Sequence, residues 1–264
     1  MDTIINFLKK IIKSHILFIK IFLNLKNFLL INIEKEYNIV KFIHPSPVIF
    51  DIGGHIGESI NAFLKKNPNS YIHSFEANKD LYLKMRKELK FRINNSRYKI
   101  YNYLISNKKK NFLYIPSALD FKFTELSSVE KKYVKQRFKS HFPKILDIKL
   151  KKTPVKSLQI DKFYKYKPNV LKIDTEGSEL NVLLSGKRII KYLKPLLIIE
   201  YNSSNYTKIK LFLKKYHYHP FVYKRKNLFY KMNKNIFAQI KNSSHAKNIC
   251  FINENNPINK IVVY

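Results

Sequence analysis

The sequence predicts an α/β protein built on a parallel, doubly wound sheet. From about residue 46, short apolar runs alternate with stretches whose apolar residues recur at helical spacing. Strands that alternate with helices in this way are typical of parallel sheets covered by helices on both faces. The chain has 264 residues, of which 45% are hydrophobic, and is long enough to bury the core that such a sheet requires.

The predicted strands are short and rich in Val, Ile, Phe and Tyr. They are residues 48–52, 71–75, 98–105, 170–173, 196–201, 218–223 and 249–252. The helices predicted between them are residues 59–66, 79–91, 178–186 and 207–216. Gly186 is expected to end the third of these helices, since glycine is common directly after a helix.

One stretch interrupts this alternation. Residues 116–154 are basic and aromatic, and a helix is predicted at 130–138. A long insertion between the third and fourth strands of the sheet is a candidate substrate lid. The alternative is a surface excursion without a role in function.

The first 45 residues form a separate segment, ahead of the α/β domain at 46–264. Apolar residues recur at helical spacing from Ile4 to Phe22 with lysines beside them, which predicts a basic amphipathic helix within residues 1–43. Such a helix could make a peripheral contact with an anionic membrane or cover the core of its own domain, and we favour the second role. No uncharged run in it approaches the roughly 18–20 apolar residues of a membrane span.

The formal net charge of +33 comes from 51 Lys and Arg residues against 18 Asp and Glu residues. Such a balance attracts nucleic acid, anionic lipid or acidic saccharides. The lysines are dispersed along the whole chain, so we favour a compositional origin over a dedicated binding surface. The single cysteine, Cys250, excludes a disulfide within the chain and agrees with a reducing, cytoplasmic compartment.

Three of the five glycines lie within five residues, directly after the first predicted strand. Gly53, Gly54 and Gly57 permit a tight turn and a close approach of backbone to a ligand. The helix that begins near Ser59 directs its free N–H groups toward the same crevice. Asp51, at the carboxyl end of the strand, can accept hydrogen bonds from a ligand. The D-x-G-x-x-x-G spacing suits a nucleoside without a pyrophosphate.

Acidic residues end two further strands and are expected at the same edge of the sheet. Glu76 ends the second strand, where an acid can accept both ribose hydroxyls of a nucleoside. Lys172, Asp174 and, if the chain stays extended, Glu176 share one side of the fourth strand, so the lysine would keep the carboxylates ionised. Ser178 is predicted to cap the next helix. The alternative is a capping cluster with a structural ion pair.

Four runs of residues resemble motifs of the FkbM family of S-adenosylmethionine-dependent methyltransferases, in order and in approximate spacing. They are residues 50–57 (FDIGGHIG), 74–78 (SFEAN), 171–179 (LKIDTEGSE) and 197–200 (LIIE). The resemblance covers residues 46–253, and the LKIDTEG run is its most diagnostic part. Family members usually have Ala-Asn where this chain has Gly54 and His55.

The resemblance implies a Rossmann-like class I methyltransferase fold with a seven-stranded, mostly parallel sheet. It also implies S-adenosylmethionine as the methyl donor and O-methylation of saccharides or other small molecules. Asp174 and Glu176 would lie near the transferred methyl group. The positions that match donor-binding residues are Asp51, Gly53 and Gly57 for the methionine part, with Gly54 in the same turn, and Glu76 for the ribose.

Methyl transfer to a hydroxyl requires a base that removes the acceptor's proton while the acceptor is aligned with the methyl group. We expect Asp174 or Glu176 to be this base, with Lys172 fixing its geometry. His55 is a second candidate, because an unperturbed histidine pKa of about 6.5 suits proton transfer.

A less favoured mechanism uses a divalent metal such as Mg²⁺, held by Asp174, Glu200 and Asn202, to lower the pKa of the acceptor.

The sequence therefore predicts a methyltransferase acting on a saccharide or another small molecule. One alternative is an RNA methyltransferase, which the net charge would suit, but no RNA-binding motif is visible and nucleic acid is the less favoured partner. The other is a non-catalytic protein with a donor fold that acts as a scaffold in a glycan pathway. Retention of all the acidic residues argues against the scaffold.

Overall fold

The computed structural model describes residue 14 and residues 34–92, 96–109, 112–118, 121–143, 145, 147–223, 229–232 and 248–260. Within these residues the main feature is an eight-stranded sheet, accompanied by two small sheets. In chain order the strands are β1 (Val48–Ile52), β2 (Tyr71–Phe75), β3 (Tyr98–Tyr101), β4 (Leu104–Ile105), β5 (Phe112–Ala118), β6 (Phe121–Lys122), β7 (Lys149–Pro154), β8 (Ser157–Leu158), β9 (Val170–Ile173), β10 (Leu196–Glu200), β11 (Tyr218–Tyr223), β12 (Phe229–Lys231) and β13 (Asn248–Asn253).

The order of the strands in the main sheet is β12-β11-β13-β10-β9-β1-β2-β3. The five strands from β3 to β10 are parallel, whereas β13 is antiparallel to both of its neighbours. The chain winds outward from β1 in one direction through β2 and β3, and later in the other through β9 and β10. Ligands of open α/β sheets bind at the carboxyl edge where the winding reverses, which here is beside β1. The predicted fold class is confirmed, and β12 adds an edge strand to the predicted seven.

Successive side chains along each strand point to opposite faces of the sheet. The hydrophobic ones fill two cores, one on each face. Ile49 packs in the same core as Phe63 and Met85, whereas Phe50 packs with Val182 and Leu213 on the opposite face. The α-helices that cover the sheet and the insertion are α1 (Glu58–Lys66), α2 (Lys79–Arg92), α3 (Lys131–His141), α4 (Glu179–Ser185) and α5 (Tyr206–Lys214). α1 and α2 cover the first face, and α4 and α5 cover the second.

The predicted third strand, residues 98–105, is wrong in its extent. β3 ends at Tyr101, and β4 leaves the main sheet to pair with β8. The interruption lies at Asn102, whose side-chain amide donates to the carbonyl oxygens of Glu76 and Ala77 over 2.8 and 3.1 Å. These hydrogen bonds replace continued pairing with β2 and bring the chain across the carboxyl edge of the sheet.

The stretch between β4 and β8 folds into a small unit with its own core. β6, β5 and β7 form an antiparallel sheet in that order. The predicted helix at 130–138 is present as α3, and its Phe138 side chain packs against Phe123 and Phe142. The small sheet begins at Phe112, before the predicted start of the insertion at residue 116. We call the unit from Phe112 to Pro154 the insertion; its role as a lid stays a prediction.

Most of the predicted N-terminal amphipathic helix lies outside the described residues. Residues Lys35–Phe42 form a 3-10 helix that packs on α1, where the ring centroids of Tyr37 and Phe63 are 4.4 Å apart. This part of the segment covers the core of the domain. Among the described residues, no helix has both the length and the apolar character needed to cross a membrane.

Two leucines of α5 provide a matched test of this packing. Leu213 is fully buried against the sheet, whereas Leu211 is 59% exposed. Replacing Leu213 by Ala should lower the free energy of unfolding by about 2–5 kcal/mol, since it removes buried methyl groups and leaves a cavity. Leu211→Ala should change it by less than about 0.5 kcal/mol. Urea denaturation of the two variants measures both values, and equal losses would contradict the described orientation of α5.

Candidate active site

The glycine turn after β1 brings the ends of three strands together. The N–H groups of Gly53 and Gly54 both donate to the carbonyl oxygen of Phe75 in β2, over 2.9 and 3.1 Å. Gly53 has a φ of 87°, and a Cβ atom added there would overlap the carbonyl oxygen of Asp174, which follows β9. Only glycine combines a left-handed backbone with contact this close. The turn is therefore fixed between β1, β2 and β9.

Asp51 is fully buried and faces the protein interior. Its Oδ2 atom accepts hydrogen bonds from the hydroxyls of Ser59 and Ser74, both over 2.7 Å, and its Oδ1 atom lies 3.3 Å from Nζ of Lys172. The sequence predicted that this carboxylate would accept hydrogen bonds from a ligand, but two serines and a lysine turn it away from the cavity. Gly57 also lies outside the cavity lining. Both residues support the turn from behind.

Lys172 connects the glycine turn to the acidic residues. Its ammonium group lies 3.3 Å from Asp51 and 3.4 Å from Oδ2 of Asp174, and it donates to the carbonyl oxygen of Gly53 over 3.1 Å. Burial alone would lower the pKa of Lys172, but the charges of Asp51 and Asp174 outweigh burial and raise it. The lysine therefore stays protonated at neutral pH. The predicted contact between Lys172 and Asp174 is present.

Glu76, at the end of β2, is buried and accepts two backbone hydrogen bonds. The N–H group of His55 donates to Oε2 over 2.9 Å, and the N–H group of Asn78 donates to Oε1 over 2.7 Å. Burial raises the pKa of Glu76 to about 7, although these hydrogen bonds favour the ionised form. The residue lines the cavity, and each carboxylate oxygen has a lone pair left for a further donor.

His55 lines the cavity beside the glycine turn, with a left-handed φ of 52°. Its Nδ1 atom lies 3.0 Å from Oε1 of Glu58, and its buried Nε2 atom has no hydrogen-bond partner among the described residues. Burial alone would lower the pKa of His55, but the hydrogen bond with Glu58 and its charge raise it. Glu58 thereby orients the imidazole and leaves one ring nitrogen for a ligand.

Three carboxylates meet at the ends of β9 and β10. One oxygen from each of Asp174, Glu176 and Glu200 lies within 4.8 Å of the other two. Burial, followed by the charges of Asp174 and Glu176, raises the pKa of Glu200 to about 10. Three carboxylates this close disfavour one another's ionised forms, and a bound cation would relieve that repulsion.

The predicted metal-ligand set of Asp174, Glu200 and Asn202 is only partly assembled. The Oδ1 atom of Asn202 accepts hydrogen bonds from the N–H group and the hydroxyl of Ser204, over 3.0 and 2.7 Å. Asn202 is therefore used to form the turn that precedes α5. Glu176 takes its place in the carboxylate cluster.

Glu176 reaches the cluster through a turn and not, as predicted, along an extended chain. It has a φ of 51°, and Gly177 follows with a φ of 96°. Two further contacts arise from the insertion: the hydroxyl of Tyr133 donates to Oε2 over 2.9 Å, and Arg137 donates to Oε1 over 3.0 Å. The sequence contained no signal for these partners, which lie about forty positions away in a segment of unknown path.

The helix cap predicted at Ser178 is wrong. Its hydroxyl is buried without a hydrogen-bond partner among the described residues. Instead Glu179, which is fully buried, accepts hydrogen bonds through Oε1 from the N–H groups of Thr175 and Gly177, over 3.2 and 2.9 Å. Asn205 donates to its Oε2 atom over 2.6 Å. The first residue of α4 thus binds the backbone of the turn that leads into the helix, and the Ser178 side chain makes no capping hydrogen bond.

These residues surround a cavity of about 550 Å³ at the carboxyl edge of the sheet. Gly53, Gly54 and Thr175 contribute backbone and small side chains, and the insertion contributes Phe123 and Phe142. Six carboxylates line the cavity, namely Glu34, Glu58, Glu76, Glu125, Asp174 and Glu176. Arg137 and Lys172 are the Arg and Lys residues in the described lining, and both are paired with carboxylates. The cavity is thus acidic within a basic protein.

A family profile described as Methyltransferase FkbM domain matches residues 51–223. The chain belongs to the FkbM methyltransferase family. The matched range includes the glycine turn, Glu76, the insertion and the carboxylate cluster. Membership confirms the resemblance found in the four motif runs and assigns the matched residues to a methyltransferase domain.

Three solved structures resemble this FkbM protein at low sequence identity. Methyltransferase FkbM from Methylobacillus flagellatus KT has a TM-score of 0.50 and 14% identity over 82% of this chain, which spans only 47% of that protein. The precorrin-6y C5,15-methyltransferase from Geobacter metallireducens GS-15 has a TM-score of 0.44 and 13% identity, covering 81% of this chain and 84% of that one. TrmK from M. capricolum, in complex with S-adenosylhomocysteine, has a TM-score of 0.39 and 12% identity, covering 88% and 71%. At these identities the likeness concerns the fold. No curated protein matches the chain.

Replacing Lys172 by Met is expected to lower the free energy of unfolding by about 3–5 kcal/mol, because it leaves the buried Asp51 without a counter-charge. The double variant Lys172→Met/Asp51→Asn should recover much of this loss, since the uncharged amide that replaces the carboxylate can still bond with Ser59 and Ser74. Urea denaturation at neutral pH measures the free energy of unfolding of the single and the double variant. A single variant as stable as the unmodified protein would contradict the described ion pair.

Proposed function

We propose that this protein transfers the methyl group of S-adenosylmethionine to a hydroxyl oxygen of a saccharide or another small molecule. The observation that carries the proposal is the meeting of the glycine turn, Glu76 and Asp174 in one cavity of about 550 Å³. Small-molecule sites have volumes of about 300–1,000 Å³. Residues of the insertion line the same cavity, and we assign them to the acceptor.

The lining residues suit the methyl donor in both shape and charge. When bound, S-adenosylmethionine supplies a methyl group on a positively charged sulfur. We assign its methionine part to Gly53 and Gly54, whose backbone lines the cavity without a side chain, and its ribose hydroxyls to Glu76. The excess of carboxylates favours a cationic ligand. Asp51 and Gly57 hold the turn and are assigned no direct contact.

Asp174 is the candidate base of the proposed reaction. Its side chain is 31% exposed and lines the cavity, and Lys172 lies 3.4 Å from its Oδ2 atom. The lysine fixes the orientation of the Asp174 carboxylate. Glu176 and His55 line the cavity too and are the alternatives. An acceptor hydroxyl that donates to Asp174 would be both oriented and relieved of its proton.

A divalent cation is the competing mechanism, and the carboxylate cluster is the observation that favours it. Asp174, Glu176 and Glu200 offer oxygen atoms within 4.8 Å of one another, and oxygen ligands suit Mg²⁺. The two mechanisms differ in a simple experiment. Turnover that survives EDTA supports the base mechanism, whereas turnover that EDTA abolishes and Mg²⁺ restores supports the metal.

The acceptor class rests on the family resemblance and on the charge of the protein surface. An acidic or lipid-linked glycan would suit a chain of net charge +33. The test incubates the purified protein and methyl-labelled S-adenosylmethionine with lysate separated into glycan, RNA and lipid fractions. Label in glycan supports the proposal, and label confined to RNA supports the RNA methyltransferase instead. If calorimetry detects no binding of S-adenosylmethionine, neither the glycan nor the RNA methyltransferase is supported, and the non-catalytic scaffold replaces them.

Asp174→Asn should reduce methyl transfer by about 10²-fold or more, since general-base catalysis contributes about 10²–10⁴-fold. Its affinity for S-adenosylmethionine should stay within a few-fold of the original value. Glu125→Gln is the matched control, because Glu125 lines the same cavity from the insertion without joining the carboxylate cluster. Labelled-methyl transfer and calorimetry measure the two quantities. Equal activity of the two variants would exclude Asp174 as the base.

The affinity for S-adenosylmethionine should fall as the pH drops below 7. The pKa of Glu76 is about 7 in the free protein, and its ionised form is needed to accept both ribose hydroxyls. Below this pKa the donor must displace a proton, so the affinity should decrease by up to about tenfold per pH unit, and above it the affinity should level off. Calorimetry at several pH values on either side of 7 measures the affinity for S-adenosylmethionine. Glu76→Gln should bind more weakly at high pH and lose this dependence; a variant with the original pH profile would contradict the assignment.

A further inference from the structure

The segment ahead of β1 supplies one of the acidic residues of the cavity. Glu34 and Tyr37 both line the cavity, and both lie outside residues 51–223, the range that matches the family profile. We propose that Glu34 binds the α-ammonium group of the methionine part of S-adenosylmethionine. This inference rests on the proposed function and adds a residue of the N-terminal segment to the donor site.

A contact with the last strand of the chain holds Glu34 at the carboxyl edge of the sheet. The side-chain amide of Asn248 donates to Oε2 of Glu34 over 2.6 Å. Asn248 is buried at the start of β13, where it pairs with Glu200 at the end of β10. A carboxylate has about four lone-pair sites. Glu34 is therefore positioned by Asn248 and keeps capacity for a ligand.

The surroundings of Glu34 carry an excess of negative charge. Burial, followed by the charge of Glu34, raises the pKa of Tyr37, and the charges of Asp51 and Asp174 add to this rise. Burial alone would lower the pKa of Lys172, but the charges of Asp51, Asp174 and then Glu34 raise it. One ammonium group thus faces three carboxylates, and a second cation in the cavity would balance the excess.

Most of the other carboxylates that line the cavity already have a role or a partner. Glu76 is assigned to the ribose and Asp174 to the acceptor. Glu58 is paired with the imidazole beside it, and Glu176 is paired with an arginine of the insertion. Within the described lining, Glu34 is thus the carboxylate near Lys172 to which the proposed reaction assigns no other group.

The glycine turn is poorly suited to hold an ammonium group alone. The carbonyl oxygen of Gly53 accepts a hydrogen bond from the ammonium group of Lys172 over 3.1 Å, so a second cation at that oxygen would be repelled by the first. A cationic group taken out of water needs a counter-charge. A methionine part that lies against Gly53 therefore requires a carboxylate in the same cavity, and Glu34 is placed to provide it.

The test compares two ligands that differ at one group. S-adenosylhomocysteine carries the α-ammonium group, and its des-amino analogue carries hydrogen in that position. Neither ligand has a methyl group to transfer, so no acceptor is needed. Calorimetry at neutral pH measures the affinity of both ligands for the unmodified full chain, for Glu34→Gln and for Glu125→Gln.

Glu125→Gln is the matched control, because it removes an equal charge from the lining of the same cavity. Glu125 lies on the side of β2, away from β13: the side-chain nitrogen of Asn78, which follows β2, lies 3.5 Å from the carbonyl oxygen of the adjacent Thr124. A loss of affinity that reflects only the net charge of the cavity would therefore appear in both variants.

Glu34→Gln should bind S-adenosylhomocysteine about tenfold or more weakly, since a hydrogen bond between two charged groups is lost. It should bind the des-amino analogue at least as tightly as the unmodified protein does, because this ligand has no ammonium group. Glu125 is exposed, so its replacement should change either affinity by less than about threefold. Equal weakening of the two ligands, equal weakening by the two variants, or no weakening by Glu34→Gln overturns the inference.

Two further outcomes are distinguishable. If urea denaturation shows that Glu34→Gln does not fold, Glu34→Asp replaces it; its shorter side chain should weaken S-adenosylhomocysteine alone, and an unchanged affinity overturns the inference equally. An unmodified protein that binds neither S-adenosylhomocysteine nor S-adenosylmethionine defeats the proposed function and this inference with it. A protein that binds both, and whose preference for the ammonium group survives in Glu34→Gln, defeats the inference alone.

Discussion

The ion pairs of one buried lysine are the constraint on which the site depends. Lys172 binds Asp51 behind the glycine turn, the carbonyl oxygen of Gly53 within it and Asp174 at the end of β9. Asp51 and Gly53 belong to β1 and the turn that follows it, whereas Asp174 follows β9, so the lysine ties the ends of these two neighbouring strands together. A buried charge pair of this kind contributes little net stability but is costly to break. It therefore specifies one geometry at the edge of the sheet where methyl transfer is proposed.

The distribution of acidic residues sets the site apart from the rest of the protein. Six of the 18 Asp and Glu residues line one cavity, and Asp51, Glu179 and Glu200 bond to or adjoin residues that line it. The chain as a whole has 51 Lys and Arg residues, and of these the described lining of the cavity includes Arg137 and Lys172. A cationic donor is attracted to the acidic interior, and an anionic acceptor would be attracted to the basic exterior. The two substrates can thus be recruited by fields of opposite sign.

The sequence predicted the fold and the location of the site because both follow from short-range patterns. Apolar runs bounded by turn residues place β1, β2, β9 and β11 at their observed bounds, and parallel winding then requires their carboxyl ends to meet. The direction in which each side chain points depended on partners remote in sequence. Asp51 turns inward because Ser74 and Lys172 surround it, and Glu176 leaves the extended path because α3 holds it. Asn102 ends β3 through hydrogen bonds that no local pattern reveals.

The most direct test of this account is a crystal structure of the full chain grown with S-adenosylhomocysteine. The ribose hydroxyls should lie within hydrogen-bond distance of Glu76, the methionine part against Gly53, and the sulfur atom in front of Asp174 with Lys172 still bridging to Asp51. Ligand density at any other place, with this cavity left to solvent, would contradict the account.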